Sequence, residues 1–165
     1  MEITGPVASL RDYCRERGLT LGRRLGFGVH GTVFMAENQT KDGVWAVKAF
    51  DQEHCYLRER DVYLRLRQLG IRQIHCSTIP TMTGYDDGRW VIEMTVVSRP
   101  FVLDFAGAYL DREPEFSDET LAEWRVEKQE QFGSRWNDVQ GILAELADLG
   151  IFVVDVNPNN IAWLE

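Results

Sequence analysis

The sequence predicts an α+β fold, a β-rich half followed by a mostly helical half. Three features carry that prediction. Short apolar or β-branched segments separated by glycine and Asp-Gly turns fill residues 19–95. One helix-length stripe interrupts them at 51–69, and long helical segments with clear start and stop signals occupy the chain beyond Ser117. Strands followed by helices are the pattern of a two-part α+β architecture. At 165 residues the chain is expected to form a single domain over 1–165 with a real core, 1–95 forming the sheet-bearing part and 96–165 the helical part.

The elements follow in order. Ala8–Arg17 reads as a short helix, with Ser9 as its cap, Asp12 three residues on, and Gly18 as its stop. Leu19 to Val33 reads as two strands joined by a glycine-rich loop, and Phe34 to Glu37 extends the second. Gln39-Thr40-Lys41-Asp42-Gly43 is a turn, and Val44–Phe50 is a third strand whose continuous apolar character implies burial. Asp51 to Leu69 reads as a helix that Gly70 terminates. Thr81–Tyr85 and Trp90–Met94 flank Asp86-Asp87-Gly88, a hairpin signature. Leu103–Leu110 is expected to be a short helix. Ser117 caps a helix over 118–131, Trp136–Leu149 forms the next with Gly150 at its end, and Ile151–Val154 is a short strand leading into Asp155.

Composition bounds the function classes. Hydrophobic residues are 44% and charged residues 27%, as in a globular chain. The net charge of −8 disfavours binding to a phosphate backbone, so no nucleic-acid partner is expected and any phosphate site must be built locally. No apolar run approaches the roughly 18 residues of a membrane span. Met1-Glu2-Ile3-Thr4 lacks the basic and apolar signature of a signal peptide, so the expected location is the cytoplasm, with no membrane partner. Cys14, Cys55 and Cys76 are odd in number and widely spaced, which suits reduced thiols, and His30, His54 and His75 show no metal-ligand spacing with them.

Three motifs carry chemistry. Gly26-Phe27-Gly28-Val29-His30-Gly31 is followed by Thr32-Val33-Phe34-Met35, a strand and not the helix that a dinucleotide-binding turn requires. A glycine loop between two strands suits a flap over phosphates, its alternative being an ordinary glycine-rich hairpin. Lys48 closes the apolar run Val44-Trp45-Ala46-Val47. Cys55, Glu59, Val62, Leu66 and Leu69 share one helix face on which Glu59 is the only charged member. A buried carboxylate needs a partner, and Lys48 is the obvious one; Arg58 or Arg60 is the alternative, and Glu53 is the fallback carboxylate for Lys48. Finally, Asp155-Val156-Asn157-Pro158-Asn159-Asn160 places an Asp and an Asn five residues apart between apolar segments.

In this order the motifs resemble the protein kinase-like superfamily. The resemblance covers about residues 19–165 and implies a five-stranded antiparallel N-lobe with one helix, a hinge, and a truncated helical C-lobe. It also implies ATP and Mg²⁺ as cofactors. Gly26, Gly28 and Gly31 would cover the phosphates, Val33 would pack against the base, Lys48 would position the phosphates and Glu59 would hold Lys48. The backbone of Glu93, Met94 and Thr95 would meet the adenine edge, with Ile92 behind the base. Asp155 would orient the acceptor hydroxyl and Asn160 would bind the metal.

The chain departs from the pattern in places. Val153-Val154 replace the His-Arg that usually precedes the Asp, and Asn157 stands where many protein kinases carry a Lys. The family's Asp-Phe-Gly segment is expected after the catalytic loop, yet only Ile161-Ala162-Trp163-Leu164-Glu165 follow it. Leu103-Asp104-Phe105-Ala106-Gly107 echoes that segment but precedes the loop, so it is set aside as a replacement, with Asp104 assigned at most to a ribose hydroxyl and Glu165 kept as a fallback ligand. The expected function is ATP-dependent phosphotransfer to an unidentified hydroxyl acceptor; the alternative is a pseudokinase serving as a nucleotide-binding or protein-interaction module. Apolar surface near Trp163 and Leu164 is expected to be covered by a second copy or a partner.

Overall fold

The computed structural model describes residues 5–28, 30–40 and 42–164. The readings at Met1–Thr4, at the loop residue Val29, at the turn residue Lys41 and at Glu165 lie outside the described residues. In chain order the elements are α1 (Pro6–Arg17), β1 (Leu19–Gly28), β2 (Gly31–Asn38), β3 (Val44–Phe50), α2 (Glu53–Gln68), β4 (Gln73–Ile74), β5 (Ser77–Thr78), β6 (Met82–Asp86), β7 (Val91–Thr95), β8 (Phe101–Val102), β9 (Ala108–Leu110), α3 (Asp118–Phe132), α4 (Trp136–Asp148), β10 (Ile151–Val153) and β11 (Ile161–Ala162). The fold is α+β, and its main sheet is five-stranded and antiparallel in the order β1-β2-β3-β7-β6.

The punctuation residues act largely as expected. Gly18 stops α1 in the left-handed region at φ 69, and Ser117 Oγ accepts the Thr120 amide at the start of α3. Ser9, however, lies inside α1, which begins at Pro6 behind Gly5. Proline suits a first helical turn because its missing amide hydrogen would be unpaired there anyway. α2 ends at Gln68, which leaves Leu69 exposed and outside the buried stripe.

The sheet carries apolar cover on both faces. On one side, Leu10, Tyr13 and Cys14 of α1 pack with Ala36, Val47, Ala49 and Val91. On the other, Phe50, Ile92 and Met94 join α2 residues Tyr56, Val62, Tyr63 and Leu66. That second core runs on without a break into Val139, Ile142 and Leu146 of α4.

The connection between the sheet and α3 differs from the expectation. Leu103–Leu110 is not a helix: residues 103–107 form a loop between the short strands β8 and β9. Both strands pair with elements late in the chain. β8 runs antiparallel to β11 (Val102 opposite Ile161), and β9 runs antiparallel to β10 (Ala108 opposite Val153). The loops 103–107 and 154–160 therefore stand opposite each other, each framed by the same two ladders. Long-range pairing satisfies backbone groups that a two-turn helix would leave open at both ends.

Candidate functional site

The site is assembled where three segments meet: the β1–β2 hairpin, the β3/α2 pair, and the two opposed loops. β1 and β2 pair as far as Gly28 opposite Gly31, so the glycine segment is a true hairpin tip, with no helix following it. Gly31 has a local reason to be glycine, because a Cβ there would collide with the Ala49 carbonyl oxygen on β3. A Cβ on Gly26 would meet nothing within 4 Å, so the room there is not taken by the protein.

Across the sheet, Val33, Lys48 and Ile92 are direct cross-strand partners and share one face. Lys48 extends from that face to Glu59 on α2, Nζ to Oε2 at 2.7 Å, with the two side chains 8% and 1% exposed. The anticipated Lys48–Glu59 ion pair thus forms. The alternative arginines are engaged elsewhere: Arg60 with Asp61 and Asp87, and Arg58 over the Tyr109 ring. The fallback Glu53 is exposed at the start of α2.

Asp104, which the sequence reading assigns at most to a ribose hydroxyl, lies beside the Lys48–Glu59 pair. Its Oδ1 lies 3.5 Å from Lys48 Nζ, so one buried ammonium serves two carboxylates. Its backbone has φ 71, a left-handed conformation that a non-glycine residue adopts at a cost of about 1–3 kcal/mol and that tends to cluster at functional sites. The next residue, Phe105, is 1% exposed and packs edge-on against Tyr63 of α2, ring centroids 5.4 Å apart. Asp104, Asp155 and Asn160 line one narrow cavity together with Ile142 and Leu146 of α4. Chain order was the reason to set Asp104 aside, and the antiparallel pairing of β8 with β11 removes that reason. The available signal was the Leu-Asp-Phe-Ala-Gly echo itself, read for proximity and not for order.

Gly107 closes the same loop, and a Cβ on it would press to 3.0 Å from the Asp155 Cβ. The opposite loop is shaped by its own polar side chains. Asn157 Oδ1 accepts the Asn159 amide at 2.9 Å, its carbonyl accepts the Asn160 amide at 3.0 Å, and Trp124 Nε1 of α3 donates to the Val154 carbonyl at 3.0 Å. Asp155 itself is largely exposed, with His30 Nε2 at 3.5 Å from its Oδ2.

Two carboxylates, those of Glu59 and Asp104, face the single Lys48 ammonium. Burial works against the Lys48 ammonium, but Glu59 and Asp104 hold it above its ordinary range. Burial also pushes the Glu59 carboxyl up to about 7, with Lys48 opposing and Asp104 adding to the rise. Asp104 and Asn160, which border the same narrow cavity, carry oxygen donors, the ligand type that a hard divalent cation takes. No group of three or more His, Cys, Asp or Glu side chains able to hold a metal ion occurs among the described residues.

The predicted base-binding strand needs correction. Glu93, Met94 and Thr95 lie inside β7 between β3 and β6, and the Thr95 amide already bonds to the Thr81 carbonyl. The backbone leaves the ladder only at Val96. Side chains alternate along a strand, so Ile92 and Met94 share the Lys48 face while Glu93 points to the other. There its carboxylate accepts from Tyr13 Oη (3.0 Å), Thr83 Oγ1 (2.8 Å) and Arg17 Nε and Nη2 (both 3.2 Å). Glu93 is thus a buried anchor for α1.

No family model matches the chain, and no curated protein matches it. No helix among the described residues is long and apolar enough to cross a membrane.

Proposed function

We propose that the chain binds ATP with Mg²⁺ in this cleft and transfers a phosphoryl group to a hydroxyl acceptor in the manner of protein kinase-like enzymes. The observation that carries the reading is the buried Lys48 held between Glu59 and Asp104 beside the Asp155–Asn160 loop. An ammonium with two fixed carboxylate partners is pre-oriented, which is what a phosphate-positioning group requires. In this reading the glycine hairpin covers the phosphates with Gly26, Gly28 and Gly31, Val33 and Ile92 wall the base, and the backbone that leaves the ladder at Val96 would meet the base edge. Asp104 and Asn160 would hold the metal, which supplies charge neutralisation at the transferring phosphoryl group. Asp155, exposed at the mouth, accepts the proton of the attacking hydroxyl.

The absence of a preassembled cluster of three acidic, His or Cys side chains among the described residues favours a second reading, a nucleotide-binding module without transfer. Calorimetric titration of ATP with and without Mg²⁺ separates the two. The enzyme reading expects Mg²⁺ to tighten binding in the wild type, Asp104→Asn to remove that gain, and Asp155→Ala to keep binding while abolishing phosphate release. ATP binding that ignores Mg²⁺, with no turnover to lose, supports the module. No binding at all refutes both.

A further inference from the structure

The tip of the glycine hairpin makes two contacts that the proposed function does not use. His30 Nδ1 lies 3.3 Å from Cys55 Sγ on α2, and His30 Nε2 lies 3.5 Å from Asp155 Oδ2 in the opposite loop. A thiol, an imidazole and a carboxylate in that order would form a nucleophilic triad if the sulfur were reactive. Here it is not: Cys55 is 3% exposed, and burial pushes its thiol above the ordinary range, so it stays protonated and has no room for a substrate carbonyl. A protonated thiol is instead a hydrogen-bond donor. Donation from Sγ to Nδ1 leaves the imidazole proton on Nε2, the nitrogen that faces Asp155. All three groups then have complementary roles with no change of protonation.

We propose that His30 is a positioning residue for Asp155: Cys55 sets its tautomer, and its Nε2–H, held at the Asp155 carboxylate, fixes the orientation of that group for the acceptor. The inference rests on the phosphotransferase reading. It adds that the glycine hairpin and the base for the acceptor are joined through one imidazole. Asp155 has a side chain 59% exposed, so without such a partner its carboxylate rotates freely in solvent. A misplacement of about 1 Å at such a group costs on the order of a hundred-fold in rate.

The test uses the full chain with Mg·ATP as the probe and water as the acceptor. His30→Ala is expected to lower kcat by about ten- to a hundred-fold while leaving KM for ATP near the wild-type value. His30→Gln keeps an N–H at similar reach and should recover part of the loss. Cys55→Ser, which keeps a donor, should stay closer to wild type than Cys55→Ala. In the nucleotide-free protein, ¹⁵N-correlated imidazole spectra should show His30 with its proton on Nε2, and circular dichroism should show each variant folded. A wild-type kcat in His30→Ala, a change in KM alone, or a proton on Nδ1 overturns the proposal while leaving the phosphotransferase reading intact. A wild-type protein that neither binds nor hydrolyses ATP refutes that reading first, and the role of His30 falls with it.

Discussion

Glu93 offers a sharp test of how the sheet is oriented. Its carboxylate is 3% exposed and holds Tyr13, Thr83 and Arg17. In Glu93→Ala these donors face different fates. Arg17, with a side chain 50% exposed, and Thr83, which is also exposed, turn to water and lose little. Tyr13 is 4% exposed and cannot, so its stranded hydroxyl costs about 1–3 kcal/mol, on top of lost charge-assisted bonds. A total loss of about 3 kcal/mol follows for Glu93→Ala, and about half that for Glu93→Gln, which keeps one acceptor oxygen. Burial raises the affinity of the Glu93 carboxyl for its proton, but the bonds from Arg17, Thr83 and Tyr13 outweigh burial and hold it below the ordinary range. The sign follows: this stabilisation is fully present above the unfolded value of about 4.3 and is lost as pH falls through the lower folded value. Urea unfolding of wild type and Glu93→Gln should therefore diverge at pH 7 and converge toward pH 3. A difference under about 0.5 kcal/mol at pH 7, or a gap that persists unchanged into acid, refutes the anchoring role. If the chain binds ATP as proposed, the same variant should bind it as wild type does, since the side chain faces α1. Lost affinity with intact stability would put Glu93 back in the cleft.

Other outcomes follow from single contacts. Gly31→Ala forces a methyl against the Ala49 carbonyl oxygen and should lower stability by about 1–3 kcal/mol in urea titration; an unchanged midpoint would mean that the hairpin shifts freely. Ile142→Ala empties a fully buried position in α4 and should cost about 2–5 kcal/mol, with a value below 1 refuting tight packing there. Cys76 is exposed whereas Cys14 and Cys55 are buried, and burial, with a smaller contribution from Glu93, pushes the Cys14 thiol up to about 11. A thiol reagent at pH 8 should label one cysteine at once and the other two only after urea is added; immediate labelling of all three would contradict the burial of α1 and α2.

Local patterns in the sequence translated well. Gly18 and Ser117 mark helix ends by their own conformational and bonding preferences, and Glu59 was visible because a carboxylate on an apolar stripe demands a cation. What depended on pairing across distance was not visible. β8 and β11 are each two residues long, too short for any periodicity, so apart from the Leu-Asp-Phe-Ala-Gly echo nothing in the chain announced that Asp104 stands opposite the Asp155 loop. The face of Glu93 turned on strand parity, and β7 is buried along both edges, which erases the alternation of polar and apolar residues that would have revealed it. The partners of His30 lie 25 and 125 residues away, beyond the reach of any local rule.

Loops 103–107 and 154–160 are each clamped at both ends by the same pair of ladders, and Gly107 seats directly on Asp155. Asp104, Asp155 and Asn160 consequently ride on one stiff plate. Lys48 belongs to the main sheet, and His30 to the tip of its first hairpin. The Lys48–Asp104 and His30–Asp155 contacts join the two parts, whereas the spacing of the three plate residues is fixed within one of them. The spacing of Asp104, Asp155 and Asn160 is then set when the chain folds, and in the proposed function only the reach of the lysine and the imidazole toward them is left to adjust.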